Sequence, residues 1–440
     1  MKRLSYGEAV LRIEELPLHT KKNEFSEVKS FYEWLGSPGS GSRIFHVAGT
    51  NGKGSVCAFL NSVLTCAGYR TGMFTSPHLV CLRERFVLNG TQISEGDFAV
   101  LAADFWEWLE RYREGTWKPT FFETLFFLFM LWMEKEKPDF IVLETGLGGL
   151  HDVTNVIPAP LVTVITKIGL DHCAYLGNSP EEIAEQKAGI MKRGAPAVCW
   201  DTDREVSAVF VKRARELSVP LTLVSEKEVA FSKIGKNKID FFMQSAYDRD
   251  IKAVLSTEAL YQVCNAAVAV RALEIAGRFV PLDKTHIAEG LERMRWEARM
   301  EEILPDVYLD GGHNPDGIRA LLESMAADGC RGRRYLLFGA LSDKAVEEMF
   351  SILAESGLFD NAALTCIRSG RSLSRQELDA FACRMEKAGR KAAVFDDVRT
   401  AYRYLAQEKK EQDRIYIVGS LYLAGEIKCC LNEDMEVSHD

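Results

Sequence analysis

The chain has 440 residues, more than one hydrophobic core ordinarily organises, so two or three domains are expected. Its composition, 47% hydrophobic and 27% charged, is that of a globular protein in water. The net charge of −9, without a sustained run of lysine and arginine, argues against a nucleic-acid partner.

The first predicted elements are two helices and a strand that leads into a glycine-rich loop. The helices cover Tyr6 to Leu16 and Phe25 to Leu35, and a loop of glycine, serine and proline follows them at 36–42. Ile44 to Ala48 is an apolar run suited to a buried strand. The sequence G-T-N-G-K-G-S at 49–55 then precedes an apolar helix at Val56 to Ala67.

This order of strand, glycine-rich turn, lysine, hydroxyl residue and helix is typical of a polyphosphate site. Glycines permit positive φ angles and a close backbone approach, while the helix N-terminus and Lys53 supply positive potential. Gly54 separates Lys53 from Ser55, so the spacing departs from the common Walker pattern. The loop favours ATP binding, and a plain tight turn is the alternative.

A short strand at Thr71 to Phe74 and a helix at Glu95 to Tyr112 come next, followed by the most apolar segment, Phe121 to Met133. This segment is shorter than the ~20 residues of a membrane span and carries Glu123. We therefore predict a buried helix and no membrane partner.

Polar residues follow three predicted strands at their C-terminal ends. Ser76 follows Thr71 to Phe74, Glu144 ends the strand that begins at Phe140, and His172 follows the strand at 161–165. In a doubly wound sheet these ends form one edge, where ligands bind. A hydroxyl, a carboxylate and an imidazole beside a polyphosphate are a plausible Mg²⁺ set. Each residue alone could equally cap a turn or close a loop.

Strands and helices continue to alternate as far as a domain junction predicted at 295–301. A helix over Pro180 to Lys192 carries Lys187 among small residues, which suits either a solvated lysine or one close to the phosphates. The remaining elements are a strand at Val198, a helix at 205–217, a strand at 221–224, an antiparallel edge hairpin at 228–254, and helices at 257–276 and 283–294.

Beyond the junction, five strands with intervening helices predict a small parallel sheet of Rossmann-like topology without a dinucleotide fingerprint. The strands are at 307–309, 335–338, 362–366, 393–395 and 415–418. Asp310, His313 and Ser420 follow strands of this sheet, so an active site in the cleft between two domains is expected.

Seven motifs occur in one order between residues 49 and 423: G-T-N-G-K-G-S, T-S-P-H-L, E-T-G-L-G-G, I-G-L-D-H, K-A-G-I, D-G-G-H-N-P and G-S-L-Y-L. With them the chain resembles the folylpolyglutamate synthase/dihydrofolate synthase family of the Mur ligases. The resemblance implies an α/β fold with two domains. Residues 1–297 would form an ATP-binding domain on a mostly parallel sheet of P-loop type, and residues 298–440 a smaller Rossmann-like domain that binds glutamate.

The resemblance also implies roles for individual residues. The ATP-binding set is Asn51, Gly52, Lys53, Gly54, Ser55, Asn265, Arg299 and Asp310. The metal set is Ser76, Glu144, His172 and Lys187, the lysine as a carbamate. The set for folate or pteroate is Thr120, Phe121, Phe122, Glu123, His151 and Asp152. His313 and Ser420 lie in the glutamate region, and Lys53, Lys187 and His313 are the catalytic candidates.

The activity implied is an ATP-dependent ligation of L-glutamate to a folate such as tetrahydrofolate, through an acyl phosphate, with dihydropteroate as a further candidate acid. ATP and two Mg²⁺ ions are the expected cofactors, and a monovalent cation is an additional candidate. Three positions depart from the family pattern: Leu150 replaces an arginine, Gln186 replaces a glutamate, and 297–298 read Glu-Ala for Pro-Gly. Leu150 puts the acid substrate in question more than the ATP chemistry.

Two alternatives stay open at this point. One is a Mur-type ligase that joins an amino acid to a carboxylate other than a folate. The other is a regulatory P-loop switch, but no N-K-x-D base-recognition motif is present. The eleven scattered cysteines without C-x-x-C spacing, and the lack of a signal peptide, predict a cytoplasmic protein with reduced thiols. We expect a monomer whose partners are small molecules.

Overall fold

The structure is a computed structural model that describes residues 4–17, 23–244 and 250–437. It contains a large mixed sheet in the first part of the chain and a smaller one in the last part, both flanked by helices. The predicted α/β class is therefore confirmed. The boundary at 297/298 stays a prediction, although the chain passes from the last helix of the first part to the second large sheet between residues 293 and 301.

The first sheet has eight strands in the order β4-β3-β2-β5-β1-β6-β7-β8. They are β1 Arg43–Ala48, β2 Thr71–Phe74, β3 Phe86–Leu88, β4 Thr91–Gln92, β5 Phe140–Glu144, β6 Val162–Ile165, β7 Ala197–Trp200 and β8 Leu221–Val224. All neighbours are parallel except β3, which is antiparallel to both β2 and β4. The central strands are buried apolar runs because helices cover both faces.

Fifteen α-helices are described. They are α1 Tyr6–Glu14, α2 Phe25–Trp34, α3 Lys53–Cys66, α4 Glu95–Arg111, α5 Phe121–Glu136, α6 Cys173–Leu176, α7 Pro180–Ala188, α8 Arg204–Leu217, α9 Tyr261–Ala276, α10 Lys284–Arg293, α11 Pro315–Ala326, α12 Val346–Glu355, α13 Arg375–Lys387, α14 Val398–Glu408 and α15 Leu421–Val437. No helix within 4–17, 23–244 and 250–437 is long and apolar enough to cross a membrane.

The antiparallel hairpin predicted at 228–254 is confirmed, but its predicted position at the edge of the first sheet is wrong. Its residues form a separate three-stranded antiparallel sheet of β9 Val229–Gly235, β10 Lys238–Met243 and β11 Ile251–Leu255, and the stretch 245–249 lies outside the described residues. Alternate residues of β10, Ile239, Phe241 and Met243, are buried and pack with α9 and α10. This face needs its own helical cover, which an edge of the first sheet would not provide.

The third sheet has the order β12-β13-β17-β14-β15-β16 and is parallel except for its first strand. The strands are β12 Glu301–Leu304, β13 Val307–Leu309, β14 Arg334–Phe338, β15 Asn361–Thr365, β16 Lys391–Phe395 and β17 Arg414–Val418. The prediction of an all-parallel sheet is corrected here, because β12 adds an antiparallel edge that had not been predicted.

Two predicted helix ends also differ. The helix predicted to reach Lys192 ends at Ala188, with Gly189 as its C-cap. Gly189 packs so closely on Leu150 that an added Cβ would lie 2.4 Å from Leu150 Cα. The helix predicted from Thr257 begins at Tyr261. The Thr257 hydroxyl accepts a hydrogen bond from Ala259 N at 3.0 Å, a local turn that competes with helix formation.

Candidate active site

The strand register of the first sheet brings the predicted polar residues to one edge. β1 pairs with β5 up to Val47–Glu144 and with β6 up to Ala48–Ile165, while β2 pairs with β5 up to Phe74–Leu143. The segments that follow these strands therefore leave the sheet side by side. This edge faces the second domain, and the cleft between them holds about 1060 Å³.

The glycine-rich loop fits closely against its neighbours. A Cβ on Gly49 would lie 1.8 Å from Thr166 Oγ1, and one on Gly52 would lie 2.2 Å from Asn265 Oδ1. Gly52 also has a φ of +92° at the N-cap of α3. Both positions require glycine, which supports a formed loop ending on a helix N-terminus.

Gly54 lies between Lys53 and Ser55, and the close packing around it explains why this position is a glycine. A Cβ there would lie 2.9 Å from Trp296 Cζ2, on the segment that links the two domains. The absence of a side chain lets the indole approach the first turn of α3. The departure from Walker spacing thus coincides with an interdomain contact.

The side chains of the loop are held by polar contacts. Lys53 Nζ donates to two carbonyls of its own loop, the nearer being Gly49 O at 3.1 Å. The Ser55 hydroxyl accepts from Gln262 Nε2 at 3.1 Å, and the Gln262 carbonyl accepts from Asn265 Nδ2 at 2.9 Å. Gln262 was not predicted, because a glutamine within an apolar helix has no sequence signal of its own.

Glu144 is a buried carboxylate, 3% exposed, that makes no ion pair within the described part of the chain. Its Oε2 accepts from Ser76 N at 2.9 Å. Burial raises the pKa of Glu144, and the positive charge of Lys53 opposes that shift. Glu144 is thus a buried carboxylate without a counter-ion among the described residues, and it lies next to the hydroxyl residue Ser76. Such a pair is suited to bind a hard cation that keeps several water ligands.

No three His, Cys, Asp or Glu side chains gather into a metal cluster among residues 4–17, 23–244 and 250–437. His172, the third predicted metal ligand, has its Nε2 3.8 Å from Asp171 Oδ2, and burial lowers its pKa to about 4. Its role as a ligand stays a prediction.

Lys187 lies beneath the loop and is 4% exposed. Its Nζ donates to Gly49 O at 2.7 Å. Burial, with a smaller effect of Lys53, lowers the pKa of Lys187 to about 7. The alternative of a solvated helical lysine is wrong, because α7 points this side chain into the protein.

Asp171 connects the two domains and was not predicted as a site residue. It accepts from Lys344 Nζ at 2.7 Å, and its Oδ2 lies 3.4 Å from His313 Nε2 and 3.8 Å from His172 Nε2. Burial acts to raise the pKa of Asp171, but the hydrogen bond from His313 and the positive charge of Lys344 hold this pKa well below its usual range. His172 and His313, predicted from separate motifs, are thereby brought to one carboxylate.

We expect Asp171→Asn to weaken the closed arrangement of the domains. Lys344 and His313 would lose their shared anion, so the free energy of unfolding should fall by about 2 kcal/mol and the KM for glutamate should rise. Chemical denaturation and steady-state kinetics measure these. Asp343→Asn, which removes the more exposed pair with Arg371, is the control and should change stability by less than about 1 kcal/mol. Equal effects of the two substitutions would contradict this role.

Asp310 is nearly enclosed at the end of β13. Its Oδ2 accepts from the Tyr261 hydroxyl at 2.5 Å and from Met300 N at 3.0 Å, while Oδ1 accepts from Gly312 N at 2.8 Å. Burial raises its pKa, with Arg299 opposing. Oδ1 therefore keeps acceptor capacity for a ligand hydroxyl.

The residues predicted to contact folate or pteroate separate into two kinds. Phe121 and Phe122 open α5, and Phe122 packs where a Cβ on Gly146 would be 2.4 Å away, beside the end of β5. Thr120 and Glu123 form the capping box of that helix, so both side chains serve the fold. The Glu123 carboxylate also accepts from Asn23 Nδ2 at 2.8 Å.

Asp152 and His151 are likewise not arranged as open binding groups. The Asp152 carboxylate accepts from Leu147 N at 2.9 Å and from the backbone and hydroxyl of Thr154 at 3.1 and 2.7 Å. His151 is exposed and makes no hydrogen bond or ion pair within the described residues. Phe122 thus lies beside the end of β5, whereas the Asp152 carboxylate bonds to its own turn.

Two of the three departures from the family pattern meet away from the cleft. Leu150 N donates to Gln186 O at 2.8 Å, and Leu150 lines a shallow pocket of about 190 Å³ with α7 and α8. The third departure puts Ala298 in a left-handed conformation with a φ of +52°, where the family commonly has glycine. Ala298 O accepts from Arg299 Nη1 at 2.7 Å.

Ser420 and Asn314 complete the interdomain edge. The Ser420 hydroxyl accepts from Tyr422 N at 3.0 Å, in the turn that opens α15. Asn314 Nδ2 donates to Asn51 Oδ1 at 2.9 Å, across the cleft and onto the phosphate loop. Asn314 stands in the motif D-G-G-H-N-P but was not singled out, because its partner lies 263 residues away.

Comparisons with known proteins agree with this geometry. Residues 47–273 match the family "Mur ligase middle domain" and residues 293–421 match "Mur ligase, glutamate ligase domain". The dihydrofolate synthase/folylpolyglutamate synthase of Bacillus subtilis (strain 168) is 33% identical over 417 residues, which cover 92% of this chain and 94% of that protein.

Solved structures of similar proteins cover nearly the whole chain. Mycobacterium tuberculosis folylpolyglutamate synthase complexed with ADP gives a TM-score of 0.86 at 25% identity, covering 97% of this chain and 98% of that one. E. coli FolC in complex with DHPP and ADP gives 0.85 at 25% identity, covering 98% and 99%. The chain belongs to the dihydrofolate synthase/folylpolyglutamate synthase family of the Mur ligases.

Proposed function

We propose that this ATP-dependent ligase joins L-glutamate to a folate, with tetrahydrofolate as the acid, through an acyl phosphate. The observation that carries the proposal is the convergence of Lys53, Glu144 and Arg299 at one interdomain cleft. The charges of Lys53 and Arg299 both act on the Glu144 carboxylate, so the three lie within electrostatic reach of one another. Such a site suits a reaction in which several anions must meet.

ATP is proposed to bind with its phosphates on the loop at 49–55. Backbone N–H groups at the start of α3 would face the phosphates, and Lys53 would leave its two loop carbonyls to neutralise them. Asn265 stands against Gly52 at the same place. A ribose hydroxyl can donate to Asp310 Oδ1, which among the described residues accepts a hydrogen bond from Gly312 N alone.

The first chemical step is attack of the folate carboxylate on the γ-phosphorus. The bond to the bridging oxygen breaks and ADP leaves, while the acid becomes an acyl phosphate. Lys53 and Arg299 screen the approach of anion to anion and stabilise the charge that spreads over the phosphoryl oxygens. Ser76, Glu144 and His172 would hold Mg²⁺, with Lys187 as a carbamate in support of a second ion. Bound Mg²⁺ lowers the repulsion between the phosphates and the attacking carboxylate. A monovalent cation is an additional candidate.

The second step is attack of the glutamate amine on the acyl carbon, with loss of phosphate as the amide forms. His313 and Ser420 are the proposed glutamate-side residues, and Asp171 keeps His313 at the cleft. Domain closure, held by Asp171 with Lys344 and by Asn314 with Asn51, would exclude water that could hydrolyse the acyl phosphate.

Dihydropteroate is a second candidate acid. The Bacillus subtilis relative carries both synthase activities in its name, and the E. coli FolC structure contains DHPP. The same phosphoryl transfer and amide formation would then yield dihydrofolate. Phe121 is buried and Phe122 is partly exposed, and aromatic side chains of this kind can pack on a planar ligand such as a pterin ring.

The test is turnover of purified protein with ATP, Mg²⁺ and glutamate and one acid at a time. We expect ADP release and a product one glutamate heavier with tetrahydrofolate, measured by mass spectrometry. In the second arm, ADP release and a glutamylated product with dihydropteroate would show that it is also a substrate, and the absence of both would exclude it. A UDP-linked muramyl acid in the third arm tests the other branch of the Mur ligases. No ADP and no longer glutamyl chain with tetrahydrofolate would refute the proposal.

We further propose that the protein acts as a cytoplasmic monomer with small-molecule partners and no nucleic acid. The cleft that would hold the reactants is enclosed by residues of this single chain, so no second copy is needed to complete it. Size-exclusion chromatography with light scattering measures the oligomeric state, and a dimer at micromolar concentration would contradict this proposal.

A further inference from the structure

Arg85 is a buried arginine that has no salt-bridge partner among the described residues. It ends the short helical turn Leu82–Arg85 before β3 and is 6% exposed. Within the described part of the chain its guanidinium donates one hydrogen bond, from Nε to His78 Nδ1 at 2.9 Å, and forms no ion pair. Its other N–H groups have no partner among these residues.

Two other arginines are buried in the described part of the chain, and both are paired with carboxylates. Arg271 forms ion pairs with Glu228 and with Glu274, the latter at 2.5 Å. Arg414 pairs with Glu258 at 3.0 Å and with Asp328. Burial of a charge is costly unless a counter-charge accompanies it. Arg85 departs from this pattern, and burial lowers its pKa to about 10.

The carboxylates near Arg85 are engaged elsewhere. Glu84 accepts hydrogen bonds from the backbone of Leu79, Val80 and Cys81 at 2.6–2.8 Å, so it closes its own turn. Glu144 accepts from Ser76 N and belongs to the proposed metal site. The cation therefore retains its capacity to bind an anion that comes from outside the chain.

The position of Arg85 indicates which anion this is. Its guanidinium carbon lies 5.6 Å from the centre of the Phe121 ring, at the start of α5, where the pterin-bearing acid is proposed to bind. The charge of Glu144, at the phosphate end of the cleft, acts on the same guanidinium. Arg85 is therefore near both the region proposed for the acid and the carboxylate proposed to hold the metal.

The partner of Arg85 strengthens this assignment. His78 Nδ1 accepts the bond from Arg85, so the proton of the neutral imidazole lies on Nε2. His78 thus fixes the guanidinium through Nε and leaves its two terminal nitrogens, the pair that binds a carboxylate in bidentate fashion.

We propose that Arg85 binds the carboxylate of the acid substrate that receives the phosphoryl group, with His78 as its positioning residue. The inference rests on the proposed function and adds a binding residue for the acid. Arg85 keeps its proton throughout. It holds the carboxylate in line while one carboxylate oxygen forms the bond to phosphorus and the bond to ADP breaks.

The experiment compares tetrahydrofolate with its γ-carboxamide, which cannot be phosphorylated but can compete for binding. We expect the wild type to bind the acid about 10- to 100-fold more tightly than the amide, as a charge-assisted bidentate contact implies. Arg85→Gln should bind the two with equal affinity and keep the wild-type affinity for ADP. Arg85→Lys should retain part of the preference.

Arg83→Gln is the matched control, since Arg83 lies on the same turn and pairs with Glu95 at its edge. It should keep the full preference for the acid. In the absence of ligand, Arg85→Gln should unfold at a temperature no lower than the wild type, because it removes an unpaired buried charge.

The outcomes separate this inference from the proposed function. If the wild type extends tetrahydrofolate but Arg85→Gln still prefers the acid over the amide as the wild type does, Arg85 does not bind the carboxylate. A large loss of thermal stability together with a retained preference would assign Arg85 to the fold. If the wild type itself forms no product from tetrahydrofolate, the proposed function is refuted, and the Arg85 inference that rests on it is refuted with it.

Discussion

Glu144→Ala is expected to lower kcat by about a thousandfold or more while the protein keeps its fold. Glu144 is the buried carboxylate at the end of β5, and its charge faces Lys53 and Arg299. Removal of that charge removes the anionic ligand that would hold Mg²⁺ beside the phosphates. The measurement is single-turnover formation of ADP over a range of Mg²⁺ concentrations.

Glu144→Gln sharpens the result, because an amide oxygen can still accept the hydrogen bond from Ser76 N. It should be as inactive as the alanine variant, and the Mg²⁺ concentration for half-maximal rate should rise. Glu144 makes no ion pair within the described residues, and burial raises its pKa, so loss of its charge should not destabilise the protein.

Glu258→Gln provides the contrast, since Glu258 is equally buried but pairs with Arg414 at 3.0 Å and Lys233 at 3.6 Å. Here the free energy of unfolding should fall by about 3 kcal/mol, with kcat of the folded protein nearly unchanged. Turnover of Glu144→Ala at the wild-type rate would overturn the metal assignment, whatever the stability of the variant.

The sequence predicted the central sheet well because parallel strands covered on both faces are continuous apolar runs. The predicted bounds of β2, β8 and β13 are those of the structure. The same reasoning placed Ser76 and Glu144 at one edge, since parallel strands end together. Family motifs then supplied roles that periodicity could not, such as that of Lys187.

Strands that are polar or only half-buried could not be predicted in this way. β12 reads Glu-Glu-Ile-Leu and is partly exposed throughout, so no apolar run marks it. It forms because the chain folds back beside β13 and because Glu302 pairs with Lys236 at the tip of the separate sheet. Such a strand depends on tertiary neighbours more than on its own residues.

Contacts between the two domains across the cleft could not be predicted from the sequence either. Asp171 and Lys344 are 173 residues apart, and each is an ordinary charged residue within its own segment. The pattern T-x-x-E before an apolar helix predicts a capping box, so the capping role of Glu123 could be predicted from the sequence. The family resemblance instead assigned Glu123 to substrate binding.

Lys187→Ala is expected to reduce kcat by about 100-fold or more. The structure buries this lysine beneath the phosphate loop, where its Nζ contacts Gly49 O at 2.7 Å. Because the pKa of this buried amine is lowered to about 7, it is neutral in a large fraction of the molecules at physiological pH. Only a neutral amine can react with CO₂ to form a carbamate. The carbamate would then supply a carboxylate-like ligand at the site.

The pH dependence follows from the direction of that shift. Above about pH 7 Lys187 is neutral and can carry the carbamate, whereas below it the ammonium form dominates and cannot. We therefore expect kcat to fall as the pH is lowered through about 7, and to fall further in buffer freed of CO₂. Added bicarbonate should restore the rate above pH 7 but much less below it.

Chemical rescue distinguishes a carbamate from a lysine that merely supports the loop. A small carboxylate such as acetate should partly restore kcat of Lys187→Ala, because it can fill the space of the missing group and supply its charge. Lys192→Ala is the control: Lys192 is half-buried and donates to Asn155 O at 2.6 Å, so its loss should lower stability and leave kcat nearly unchanged. Full activity of Lys187→Ala would rule out the carbamate. A loss that neither CO₂ nor acetate affects would assign Lys187 to holding Gly49 in place.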